Sequence, residues 1–186
     1  MKTVLGGKGA NLAEMTNLGV PVPPGFTIAC SACLDYLKGG GTSAELQDEI
    51  EKNLSRLEQV SGRGFGDAKN PLLVSVRSGA AVSMPGMMET ILNLGLNDRT
   101  VIGLAQQSGN ARFAYDSYRR FLQMYGDVVL GVPIHDFEHL LKSKRLTTDA
   151  APDADLSAAA LRTLVEASPA LVRTRTGADF PMEPRE

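Results

Sequence analysis

Two short apolar runs with a loop of small residues between them constrain this chain more than any other feature. The first is Leu72-Leu73-Val74-Ser75-Val76 and the second is Ile91-Leu92-Asn93-Leu94. Runs of this length, rich in branched residues, read as β-strands. Between them stand one cation, Arg77, the small residues Ser78-Gly79-Ala80-Ala81, and then Ser83-Met84-Pro85-Gly86-Met87-Met88. Small residues let a backbone approach a ligand, and free N–H groups beside an arginine fork suit a phosphate. From composition alone, a tight loop between two strands explains the same residues. Met84, Met87 and Met88 leave a similar choice between filling an irregular core and lining a nucleotide pocket.

Residues 1–5 read as the end of a strand. Gly6-Gly7-Lys8-Gly9 follows, and then a helix with apolar positions at Ala10, Leu12, Met15 and Leu18, stopped by Gly19. A helix start just after glycines gathers unpaired N–H groups and partial positive charge, which favour an anion. Lys8 at that point either reaches a phosphate or is a solvated surface lysine. No Walker spacing, G-x-x-x-x-G-K-[ST], occurs anywhere in the chain. Residues 20–28, VPVPPGFTI, form a stiff extended crossing or an edge strand, because three prolines preset φ and remove donors. A short helix over 31–37, with Ser31 as N-cap, ends at Gly39-Gly40-Gly41. Thr42 or Ser43 caps a longer helix striped by Leu46, Ile50, Leu54 and Leu57, and residues 62–70 loop into the first strand.

Beyond residue 98 the pattern is helical, with helices over 100–107, 112–127, 134–144 and 156–173. Residues 148–155, rich in Asp, Ala and Pro, read as a linker, and 174–186 as a loose end. The 112–127 helix is the best defined: Ala114, Tyr118, Phe121 and Tyr125 form one stripe. Asp116, Arg119, Arg120 and Gln123 populate another face, which is either solvated or a docking surface for another domain.

The composition excludes several classes of function. With 186 residues, 43% of them hydrophobic, there is material for one compact unit or two small subdomains. Nineteen Lys and Arg against 21 Asp and Glu leave a net charge of −2, without the electrostatic footprint of a nucleic-acid binder. No apolar run approaches the ~18 residues of a membrane span, and no secretory pattern opens the chain. A soluble cytoplasmic protein is expected. Cys30-Ser-Ala-Cys33 lacks the second ligand pair that zinc requires and reads as two small buried thiols. His135-Asp-Phe-Glu138-His139 matches H-x-x-E-H formally, but without an evident third ligand, so both histidines are expected to be structural.

The loop stretch SVRSGAAVSMPGMMETILNLGLND resembles the pyruvate, phosphate dikinase family, in its N-terminal nucleotide-binding domain. GGKGANLAEMTNLGVPVPPGFTI (6–28) and ARFAYDSYRRFLQMYGDVV (111–129) resemble the same family, in the same order and at similar spacing. The likeness weakens after about residue 142, although TGADFPMEP near the end remains similar. Phosphoenolpyruvate synthases and rifampicin phosphotransferases share a GGKxxxLxEM opening but carry an acidic sequence after the strand arginine. The Ser-Met-Pro-Gly-Met-Met loop therefore points to the dikinases.

The resemblance implies an α/β (α+β) fold with an ATP-grasp-like N-terminal half. A small mixed sheet with helices is expected over residues 1–99, and a helical subdomain, incomplete at its C-terminal end, over 100–186. The resemblance also implies that Lys8 touches the ATP phosphates and that the loop closes over them, with Gly86 supplying a backbone N–H. Lys8 and Arg77 are then the expected catalytic residues, and Ser83, Met84, Met87, Met88 and Thr90 join them on the phosphate side. In such enzymes Mg-ATP gives its β-phosphoryl group to a histidine on a mobile domain, which carries it to pyruvate in a C-terminal barrel. Arg120 matches a candidate contact for that mobile domain, and the complete enzyme is expected to be a homo-oligomer. The carboxylates that would hold Mg²⁺ are expected in sequence beyond this chain. The chain thus reads as the first part of such a domain, an incomplete product or an excised piece, without net turnover of its own. A stand-alone, non-catalytic domain that binds a nucleotide or a partner is the alternative.

Overall fold

Residues 1–5 are helical rather than extended, which corrects the expected strand. They open α1 (Lys2–Asn17), where the Met1 carbonyl accepts N–H bonds from Val4 and Leu5 at 3.1 and 2.9 Å. A strand end needs a ladder partner, whereas a helical turn satisfies its own backbone groups. Gly6 then breaks the helix at φ 69° and ψ 173°, a region open essentially to glycine alone. The helix restarts at once, so Gly7, Lys8 and Gly9 lie within α1 instead of in a preceding loop. It ends in a Schellman motif, with Gly19 N–H donating to Thr16 O and Val20 N–H to Met15 O, both at 3.0 Å. The structure, a computed structural model, describes residues 1–79, 90–148 and 156–185.

From Val20 the chain runs extended to α2 (Cys30–Gly39) and, among the described residues, joins no ladder; it is a crossing, not an edge strand. Ala29, not Ser31, stands at the N-cap of α2, and no side chain caps that helix. Ser43 does cap α3 (Ala44–Ser61), its Oγ accepting from Leu46 N–H at 3.2 Å. Leu54 is buried, and Leu46, Ile50 and Leu57 are half-buried, as their spacing requires. These helices make one compact unit, Met1–Gly62, to which the flanks of the 80–89 stretch (residues 77–79 and Thr90) also belong.

The second unit is Arg63–Val76 together with the chain from Ile91 onward. Strands β1 (Val74–Arg77) and β2 (Thr90–Leu94) form a two-stranded antiparallel sheet, smaller than the mixed sheet expected. The compact units therefore divide elsewhere than at residue 99. Most of the strand pair goes with the helices because Leu73, Ile91 and Leu94 pack on their core. The helices of this unit are α4 (Thr100–Ser108), α5 (Ala111–Val128), α6 (Ile134–Thr148) and α7 (Ala158–Thr176).

Helix α5 is the axis of the core. Asn110 Oδ1 caps it by accepting from Phe113 N–H at 2.9 Å. Ala114, Tyr118, Phe121 and Leu122 are buried, and Tyr125 half-buried. Val165 and Val172 of α7 join the same core cluster, while Leu161 and Leu164 pack with Leu156 and Ala160 in a second one.

The C-terminal stretch is docked rather than loose. Phe180 is buried, with its ring edge-on to Phe121 at 6.2 Å and 87°. Burying a phenylalanine of this kind contributes roughly 1.5–3 kcal/mol. Asn97 Nδ2 donates to Met182 O at 3.1 Å, while Asn97 Oδ1 accepts from Arg99 N–H at 3.0 Å and Thr100 N–H at 2.9 Å. One buried asparagine thus closes the start of α4 and pins the chain's end.

Candidate functional site

Gly7 and Lys8 lie in the first turn after the Gly6 break, where N–H groups have no preceding helical carbonyl in their own segment. Lys8 is half-buried, and among the described residues no hydrogen bond or ion pair engages it. Gly9 is fixed by its surroundings. A Cβ there would stand 2.8 Å from Thr27 Cγ2 and 3.2 Å from Leu5 Cβ, so the proline-rich crossing lies directly against the helix start. Close approach, rather than a loop conformation, is what requires glycine at this position.

Arg77 is the last residue of β1 and Thr90 the first of β2. In an antiparallel pair these two stand at the same end of the ladder, one at each root of the connecting loop. Arg77 is exposed and Thr90 half-buried, and among the described residues nothing pairs with the Arg77 guanidinium. Ser83, Met84, Gly86, Met87 and Met88 lie outside the described residues, and so does the expected closure of their loop. Lys8 and Arg77 both fall in the first compact unit, each a cation without a charge partner among the described residues. Such groups can position and neutralise an anion.

The arginine face of α5 is not uniformly solvated. Arg119 is buried, its Nη2 and Nε 2.8 and 3.1 Å from Asp116 Oδ1 and its Nη1 3.1 Å from Gln123 Oε1. Arg120 Nε reaches Asp116 Oδ2 at 3.0 Å, yet its side chain stays 63% exposed, so Arg120 alone of the two presents charge outward. Burial pushes the Asp116 carboxyl up, but the hydrogen bonds and charges of Arg119 and Arg120 outweigh it and hold the group below its ordinary value. The Asp at i−3 and i−4 from the two arginines was the signal that one of them is spoken for internally. Nearby, Tyr118 Oη donates to Asp98 Oδ1 at 3.1 Å; burial, and then the Asp98 carboxylate, push its phenol well up.

The remaining sequence signals change character. Cys30 is half-buried and Cys33 exposed, which corrects the expectation of two buried thiols. Both sit in the uncapped first turns of α2, a helix with no buried residue. His135, Glu138 and His139 are all exposed on α6. Among the described residues no group of three or more His, Cys, Asp and Glu is placed to hold a metal ion. No helix among them is long and apolar enough to cross a membrane.

Comparison with known proteins finds similarity to one family. The family described as pyruvate phosphate dikinase, AMP/ATP-binding domain, matches residues 2–43, which run from the start of α1 to the cap of α3. Pyruvate, phosphate dikinase of Giardia intestinalis is 54% identical over 185 residues, covering 100% of this chain and 21% of that protein. The enzyme of the same name from Clostridium symbiosum is 51% identical over 100% of this chain and 22% of its own length. Pyruvate, phosphate dikinase 1, chloroplastic, of Arabidopsis thaliana is 52% identical over 100% of this chain and 19% of its own. The chain spans about one fifth of the length of these relatives. Along its whole length, then, this chain is similar to one part of the pyruvate, phosphate dikinases, and its residues 2–43 match the AMP/ATP-binding domain family.

Proposed function

We propose that this chain is the phosphate-recognising part of an ATP-grasp-like nucleotide-binding domain in a pyruvate, phosphate dikinase. The reaction would convert ATP, phosphate and pyruvate into AMP, diphosphate and phosphoenolpyruvate through a phosphohistidine carried elsewhere. The observation that carries this reading is the AMP/ATP-binding match over residues 2–43, which contains the broken helix start and Lys8, unpaired among the described residues.

Phosphoryl transfer asks a protein mainly to position groups and neutralise charge. Lys8 and the N–H groups beside it would hold one side of the triphosphate, and Arg77 would supply a bidentate fork from the ladder end. Thr90, with Ser83, Met84, Gly86, Met87 and Met88 between the two strands, would complete the phosphate side. The exposed Arg120 would receive the phosphohistidine domain. The described residues do not supply a carboxylate set for Mg²⁺, so no step through the metal is assigned to them. A cytoplasmic setting and a homo-oligomeric complete enzyme belong to the same reading.

Amide resonances test it. Titrating the chain with ATP should shift Gly7, Lys8 and Gly9, and adenosine at equal concentration should leave them in place. Unmoved resonances at saturating ATP, or equal shifts with adenosine, would contradict phosphate recognition at the helix start.

A further inference from the structure

We propose that Cys30 and Cys33 are a redox-active dithiol that closes reversibly to a disulfide within the first turns of α2. These are the chain's two cysteines, both free, and they stand at the first and fourth residues of that helix. Residues three apart on a helix share a face with Cβ atoms about 5–6 Å apart. A disulfide needs Cβ atoms about 3.5–4.5 Å apart, so the turn must tighten modestly. At the edge of this turn Ala32 N–H donates to Ala29 O at 3.1 Å, a three-residue closure. In such a tight turn side chains at i and i+3 eclipse one another. Because Ala29 offers no side-chain cap, no cap has to be broken for the turn to adjust.

Exposure assigns the order of events. Cys33 is open to solvent and Cys30 only half so, which makes Cys33 the first thiol that a small oxidant meets. With a low-molecular-weight disulfide as oxidant, the Cys33 thiolate attacks one sulfur, forms a mixed disulfide and releases one thiolate. The Cys30 thiolate then attacks the Cys33 sulfur, forms the Cys30–Cys33 bond and expels the second thiolate, each taking up a proton given up by a protein thiol. Two protein thiols are oxidised and the small disulfide is reduced to two thiols. A metal role does not compete, since no further His, Cys, Asp or Glu among the described residues joins them as a ligand set.

The test is to incubate the folded chain with oxidised glutathione, block free thiols with an alkylating agent and weigh the intact protein. Wild type should lose both thiols together as a monomer lacking two hydrogens, and dithiothreitol should restore both. Cys30→Ser should trap a stable glutathione adduct on Cys33. Cys33→Ser should react at Cys30 roughly tenfold more slowly than Cys33 does in Cys30→Ser, following exposure. Stable glutathione adducts on wild type without the internal bond, or disulfide-linked dimers in its place, would overturn the proposal.

Discussion

Gly9 and Thr27 stand in close approach: a methyl on Gly9 would stand 2.8 Å from Thr27 Cγ2. The helix start that carries Lys8 and the crossing that follows it are therefore set by a missing side chain. Gly9→Ala should destabilise the chain by roughly 1–3 kcal/mol, the usual range for overpacking. Adding Thr27→Ala should recover most of that loss, because both Thr27 atoms in the clash are removed. Thermal melts of the two variants check this. A Gly9→Ala protein as stable as wild type would mean that the crossing is not held against α1.

Asp116 holds a buried guanidinium on one side and an exposed one on the other. Asp116→Asn leaves Arg119 buried without a counter-charge, which should cost roughly 3 kcal/mol at neutral pH. The carboxyl sits below its ordinary value of 3.8 in the fold. Its contribution is therefore present above that value and lost as pH falls through the lower folded one. Urea unfolding should show the wild-type advantage over Asp116→Asn shrinking as the medium is acidified below about pH 4. A constant advantage across that window would rule out the charge as its source.

Tyr118 is buried and donates to Asp98, and both circumstances disfavour its ionised form. Tyr118→Phe should cost about 1.5 kcal/mol through the lost bond to a carboxylate. The folded phenol titrates above the unfolded one, so its contribution is full below about pH 10 and declines as pH rises beyond it. Wild type should accordingly lose stability more steeply than Tyr118→Phe above that point. Parallel alkaline profiles would show that another group governs the decline.

Much of the helical part was legible in the residues. The α3 and α5 stripes, the Ser43 cap and the glycine stops each obey local rules that survive packing. What the residue pattern missed was decided in part by closure within a segment and in part by distant contacts. Residues 1–5 look strand-like, but they close a helical turn on themselves. The polar stretch after residue 176 looks loose, yet Phe180 finds Phe121 and Tyr125, and Met182 finds Asn97. Cys30 and Cys33 look like core residues by type, but the first unit has few atoms to bury them. For the candidate site, the glycines around Lys8 read as a cradle for an anion, but Gly9 serves packing. The Ser83 to Met88 stretch lies outside the described residues, and its part rests on the resemblance.

ATP recognition by Lys8 and Arg77 is tested most directly by calorimetric titration of the folded chain with Mg-ATP, beside Arg77→Ala. Saturable binding is expected, weakened roughly tenfold or more by the substitution, as the loss of a charged hydrogen-bonding fork implies. A demonstrably folded chain that takes up no ATP, or an Arg77→Ala variant that binds as well as wild type, would contradict it.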